Sequence, residues 1–250
     1  TLAKRRQTAP QWYPVAAYLH RQGFPLYRNT QLHYLPTGEA YLDDMLTVLD
    51  TAQRFIFVEY FIMAEGQIWD RLSEILCRKS RQGVEVKLIF DDFGSMMRMP
   101  NEKIDALQDA GVEGRGVNPV HHYGNRLYFN YRDHRKITCV DGDVAYTGGA
   151  NIADEYANLI ERFGYWKDCG VRLEGEGAWG LTRAFLQMWE RMGGEAQHEY
   201  DYYRPLHHPA AQGFCQTVVD GPDDNPNNAA EDLFLQLISR ARHTVYITTP

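Results

Sequence analysis

Residues 55–63 read FIFVEYFIM, the most apolar stretch of the chain, and they constrain the fold more than any other segment. The run has the length of a strand, falls well short of the ~18 apolar residues that a membrane-crossing helix needs, and carries Glu59. It therefore reads as a buried strand, over 54–62, and the segments around it supply the cover. Leu42, Met45, Leu46 and Leu49 form one stripe of a helix over 41–53, and Ile68, Leu72, Ile75 and Leu76 form another over 67–80, closed by Gly83. VEVKLIF at 84–90 is a second buried strand. A short helix at 101–110, a short strand in GVEGRGV, a strand in WKDCGVRLEG and a helix at 177–192 continue the alternation. RKITCV and DVAYT read as a hairpin turning at Asp141-Gly142. Helices between buried strands indicate an α/β domain with helices on both faces of its sheet.

Residues 193–213, rich in Gly, His, Tyr and Pro, show no periodicity and read as a long connection. His207-His208 there, and His121-His122 earlier, read as solvated loop histidines, not metal ligands. After the connection, LQLISRARHTVYITTP at 235–250 resembles LTVLDTAQRFIFVEYF at 46–61, with a helix-to-strand step at the same place. As a repeat, this gives a unit of roughly 190 residues and implies two similar halves.

With 44% hydrophobic and 24% charged residues, the chain can fill a core. Its net charge of −7 argues against a dedicated nucleic-acid binder. Cys77, Cys139, Cys169 and Cys215 lie far apart, and they read as reduced thiols without a disulfide framework or a zinc site. The first residue is Thr1, so a membrane anchor upstream in the natural protein is compatible with the sequence. Met96, Met97 and Met99 follow a predicted strand. They read as packing under a loop, with contact to acyl chains as the alternative.

The chemistry concentrates at 130–152, NYRDHRKITCVDGDVAYTGGANI. On a strand, His134 and Lys136 project to one face and Arg135 to the other. An imidazole beside an ammonium suits work on an anion: the imidazole attacks or moves a proton, and the ammonium holds negative oxygens. Arg126, Arg132, Arg135 and Lys136 outnumber Asp133, so the segment is locally basic. Gly148 and Gly149 allow close backbone approach, and Asn151 adds an amide donor that could also cap a helix in IADEY. On these residues alone, an exposed strand with a polar face remains an equal reading.

HRKITCVDGDVAYTGGAN matches the HxKx4D and GG/S-x-N signature of the phospholipase D superfamily at His134, Lys136, Asp141, Gly148, Gly149 and Asn151. FIFVEYFI, GVEVKLIFDDFGS, NYRDHRKI, NIADEY, RFGYWKDCGVRLEG and FLQMWERM further resemble bacterial cardiolipin synthases of Gram-positive, clostridia-like type. The resemblance implies a phospholipase D-like α-β-α sandwich around a mixed sheet. Residues 1–30 would be a lead-in, 31–195 a first half, 196–213 a connection and 214–250 the truncated start of a second half. It implies His134 as a nucleophile forming a phosphohistidine, or alternatively as the acid/base. Lys136, Asn151 and Gly149 would bind the phosphate. Asp168 would accept the other imidazole N–H. Asp141 belongs to the catalytic motif but is expected to support strand and turn. Glu59, a lone acid in an apolar strand, must be paired, hydrogen-bonded or protonated if buried; it is expected to back the site from behind or, equally, to form a structural ion pair. No metal or organic cofactor is implied. The implied substrate is phosphatidylglycerol at a membrane surface, on the cytoplasmic side. The family carries two motifs and this chain one, so a second histidine is expected roughly 190 residues after His134, in a following half, or from a second copy in a homodimer. Cys169 departs from the hydroxyl residue usual at its position.

Overall fold

The computed structural model describes residues 9–95, 97–118, 132–221 and 227–248. Helix α1 (Tyr13–Arg21) leads into β1 (Thr30–Leu35), α2 (Gly38–Leu49) and β2 (Phe55–Tyr60). Then follow α3 (Gln67–Arg81), β3 (Glu85–Asp91), the short α4 (Asp92–Ser95), α5 (Asn101–Asp109) and β4 (Glu113–Val117). The remainder comprises β5 (Lys136–Val140), β6 (Val144–Gly148), β7 (Gly170–Gly175), α6 (Ala178–Arg191) and α7 (Ala229–Arg240).

The strands form one seven-stranded sheet in the order β1-β7-β6-β5-β2-β3-β4. β2, β3 and β4 are parallel, and every other pairing is antiparallel. The sheet is mixed, as expected. Every residue of β2 is buried, because the strand is central and covered on both sides. Ile56, Val58 and Tyr60 face α2 and α3 with Leu42, Met45, Trp69 and Leu72. Phe55 and Phe57 face α6 with Phe185 and Trp189. Burying such side chains stabilises by about 1.5–3 kcal/mol each.

Local chemistry sets the boundaries. α2 begins at Gly38, earlier than the apolar stripe suggests, because the Thr37 hydroxyl caps it by accepting from Ala40 N at 3.2 Å. α3 is capped from a distance: the Asp154 carboxylate accepts from Gln67 N (3.0 Å) and Ile68 N (2.9 Å). A side chain at Gly66, where φ is +155°, would strike that carboxylate. The predicted strand over 166–175 starts only at Gly170, since Trp166 N donates instead to Asn158 Oδ1 at 2.7 Å.

The 193–213 connection is tied down by Tyr203, which is fully buried against Phe55 and Phe57 and donates to Glu85 at 3.0 Å. The lead-in packs near the end of the chain: Tyr27 bridges Cys215, and Gln216 Nε2 donates to Phe24 O at 2.6 Å. The expected helix near 235 exists as α7, but the strand after it does not: 241–248 are irregular, and Val245, Tyr246 and Ile247 are exposed. β2 has hydrogen-bonding neighbours on both sides, whereas no described strand pairs with 241–248.

Asp141 sits at φ +55° in a three-residue turn, and its carboxylate accepts from Gln53 N, Arg54 N and Phe55 N at 2.7–2.9 Å. It thus anchors the entry to β2 from the far end of β5. Asp141→Ala should lower stability by about 2–4 kcal/mol in urea unfolding, since hydrogen bonds to a charged group contribute about 1.5–3 kcal/mol each and are not additive. A change below about 0.5 kcal/mol would contradict this role.

Candidate active site

Strand register gathers the motif at one edge of the sheet. Tyr60 pairs with Lys136, Ile137 with Thr147, and Gly148 with Gly170. The carboxyl ends of β2, β3 and β6 therefore meet the amino ends of β5 and β7. Ligands in open α/β sheets bind outside the carboxyl ends of the parallel strands, here β2 and β3.

His134 is exposed and lies two residues before β5, in a strap that makes no ladder bonds. The expected strand face shared with Lys136 is replaced by another link. Lys136 Nζ donates to His134 O at 2.7 Å, and both side chains stack on Phe61: the imidazole at 4.9 Å between ring centroids, the ammonium at 5.4 Å. Burial, then the Lys136 charge, lowers the His134 pKa below its ordinary value, against opposing pulls from Asp133 and Asp91. The shift is toward the unprotonated form that a nucleophile needs. Lys136 is itself buried, and desolvation brings its pKa down to about 8 against the opposing charges of Asp133, Asp168 and Asp91.

Other expected residues take more specific places. Asn151 is buried; its Oδ1 accepts from Ile62 N at 3.0 Å and its Nδ2 donates to Tyr156 OH at 2.9 Å. It caps no helix, since the one-turn helix Asp154–Ala157 has Ala153 at its cap with no side-chain bond. Asp168 joins the site beside Lys136, but no described hydrogen bond or ion pair links it to His134. Its carboxylate accepts from Cys169 N (2.8 Å) and Trp166 Nε1 (3.3 Å). Gly149 is required there because a Cβ would lie 2.2 Å from Asp168 Oδ1. Its close approach is thus to a carboxylate of the protein itself. Asp141 is not with these residues: it follows β5 at its opposite end.

The local basicity is also largely answered by acids from elsewhere. Arg132 pairs with buried Asp91 at 3.3 Å, and Arg135 Nε lies 2.8 Å from both Asp133 and Glu59. Asp91, which sequence reasoning did not single out, accepts from Asp133 N (3.0 Å) and Gly94 N (3.1 Å) and so fixes the strap before His134. Burial raises its pKa. Its signal was an acid at the carboxyl end of a parallel strand. Phe61 and Tyr156 were missed for a similar reason: their roles exist only through contacts across the chain. Met99 is buried and Met97 exposed, while Met96, His121, His122 and Arg126 lie outside the described residues. Among those described, no group of three or more His, Cys, Asp or Glu side chains could hold a metal ion.

A family model described as "Cardiolipin synthase, PLD-like domain" matches residues 45–161, which includes His134, Lys136, Asp141 and Asn151. The chain belongs to the phospholipase D superfamily. A Streptococcus mutans protein is 39% identical over all 250 residues, which cover 54% of that protein. The cardiolipin synthase of Geobacillus kaustophilus is 33% identical over 249 residues, 99% of this chain and 49% of the synthase. The chain thus spans about half the length of the curated relatives it matches. The phosphatidylserine synthase structure from Haemophilus influenzae shares the fold, with a TM-score of 0.53 and 15% identity over 76% of this chain and 46% of that one.

Two titrations test this phospholipase D-type site. The His134 imidazole should titrate below 6.5 by NMR and move upward in Lys136→Met, since a neighbouring positive charge is removed. An unmoved value would show that the two groups do not interact. Sulfate keeps its charge at neutral and alkaline pH, so its affinity should fall as pH rises through about 8, where Lys136 loses its proton. Lys136→Met should bind sulfate weakly and without that step.

Proposed function

We propose that this chain is the first catalytic half of a cardiolipin-synthase-type phosphatidyltransferase. The observation that carries the reading is the His134 imidazole and the buried Lys136 ammonium set together against Phe61, where β2 and β3 end. Homology to cardiolipin synthases over nearly the whole chain supports the substrate class.

In this reading the substrate is phosphatidylglycerol at a bilayer surface. A His134 ring nitrogen attacks phosphorus, the P–O bond to glycerol breaks, and glycerol leaves with a proton from a general acid. The phosphatidyl group then rests on His134 as a phosphohistidine. A hydroxyl of a second phosphatidylglycerol attacks next, gives its proton back to the same group, and breaks the P–N bond to yield cardiolipin. Lys136 holds the non-bridging oxygens as charge builds on them, while Asn151 and Gly149 shape the site through Ile62, Tyr156 and Asp168. Histidine is the covalent carrier, so the route calls on no metal or organic cofactor.

One imidazole cannot be nucleophile and acid in the same step. We therefore assign the acid to a second motif, in a following half or in a second copy of this chain, and assign residues 31–195 to the first half and 214–250 to the start of the second. By this reading the chain alone is nearly inactive. The full-length protein would sit on the cytoplasmic side of the cell membrane; among the described residues, no helix is long and apolar enough to cross a bilayer. Water in place of the second lipid would make the same site a phospholipase D-type hydrolase.

The test uses phosphatidylglycerol vesicles and mass spectrometry for cardiolipin, glycerol and phosphatidic acid. With the full-length protein, His134→Ala should abolish product, by at least about 10³-fold, and Lys136→Met should cost about 10²–10³-fold. Turnover that survives in His134→Ala would remove the nucleophile assignment, and phosphatidic acid in place of cardiolipin would favour the hydrolase. The 250-residue chain alone should give no product; a His134-dependent product from it would point to paired copies.

A further inference from the structure

Glu59 presents an electrostatic problem. It is the last residue but one of β2, fully buried on the face that packs against α6, and neither carboxyl oxygen has a protein hydrogen bond of good geometry. Its Oε1 lies 2.8 Å from Arg135 Nε, but that nitrogen carries a single proton, and the proton is aimed at Asp133 Oδ1, also 2.8 Å away. Asp133 is buried too, and its own Oδ1 accepts from Arg135 N at 3.3 Å. Two buried acids thus converge on one N–H. A buried carboxylate with no donor costs several kcal/mol, and a second carboxylate beside it adds to that cost. The same situation in other carboxyl pairs is resolved by one shared proton.

We propose that Glu59 is held as the neutral acid and donates its O–H to Asp133, so that Glu59, Asp133 and Arg135 carry one proton and no net charge between them. Asp91 then faces Arg132, Asp133 faces Arg135, and Glu59 adds no charge of its own. An ionised Glu59 would add another buried negative charge behind the strap that carries His134. Desolvation, then Asp133, favours the protonated form against Arg135. Cys139, the neighbouring ionisable group on β5, is buried and its thiol is pushed up to about 12. Beyond Asp133 and Arg135 lies a cavity of about 40 Å³, lined also by Asn118, Gln187, Arg191 and Asp220. It has room for a water, but Glu59 is not part of its wall.

Glu59 is then a positioning residue. Its O–H fixes Asp133, and Asp133 precedes His134 in the chain. This goes beyond the phosphatidyl-transfer reading and does not need it: the proton exists whatever the substrate is.

The test is carboxyl NMR on the 250-residue chain labelled with ¹³C at the glutamate side-chain carboxyl. One glutamate should remain protonated at pH 7 in the wild type and in His134→Ala, and its signal should be missing from Glu59→Gln. Asp133→Asn, which removes the facing charge, should bring that titration down toward the ordinary carboxyl range. Glu59→Gln, whose amide can donate the same bond, should leave the His134 titration unmoved, while Glu59→Leu should shift it. If every glutamate is ionised at pH 7, or if the protonated signal persists in Glu59→Gln, the proposal is wrong. The wild-type spectrum decides this even where a variant fails to fold.

Discussion

The antiparallel pairing of β2 with β5 governs the rest of the molecule. It sets Tyr60 opposite Lys136 at one end and Ile56 opposite Val140 at the other. The amino end of the motif strand is thereby carried to the edge where β2 and β3 finish. Side chains alternate along a strand, so a slip of one residue would turn Lys136 toward α6 and bring Arg135's partners to the ligand side. The Asp141 carboxylate, gripping three successive backbone N–H groups at the start of β2, keeps that slip from happening. The last residue of the HxKx4D motif therefore serves the first two from the other end of the strand.

Charge in this site is arranged by exclusion as much as by attraction. Two arginines flank His134 in sequence, yet each is engaged by a buried acid from β2, β3 or the strap itself. Lys136, on the opposite face, is left as the ammonium at the site, with Asp168 close enough to hold its charge in place. Desolvation then acts on both functional groups in one direction. It favours the neutral imidazole and raises the cost of the ammonium, which an anion beside it would lower.

The end of the chain has a different physical character. α7 exposes Phe234, Leu235, Leu237 and Ile238, and the residues after it expose Val245, Tyr246 and Ile247. The helix holds its local hydrogen bonds and touches α1 through the Tyr18 hydroxyl and Asp232. The apolar residues after it find no ladder. A helix satisfies its own backbone, and a strand depends on a neighbour. That difference explains why one half of the 235–250 segment took its expected form and the other did not.

From the sequence alone one could read the α/β class, the strand at β2, helices on both faces, and His134 with Lys136 as the chemical centre. Each of these follows from periodicity or from residue types close together in the chain, which local physics controls. The tertiary structure decided what depends on distant partners. It set Asp168 against Gly149 and turned Asn151 inward to Ile62 and Tyr156. It brought in Asp91 and Phe61 and left 241–248 without a strand. It also gave Glu59 its character, because the protonation of a buried acid depends on which charges the fold sets beside it, and no local pattern encodes that.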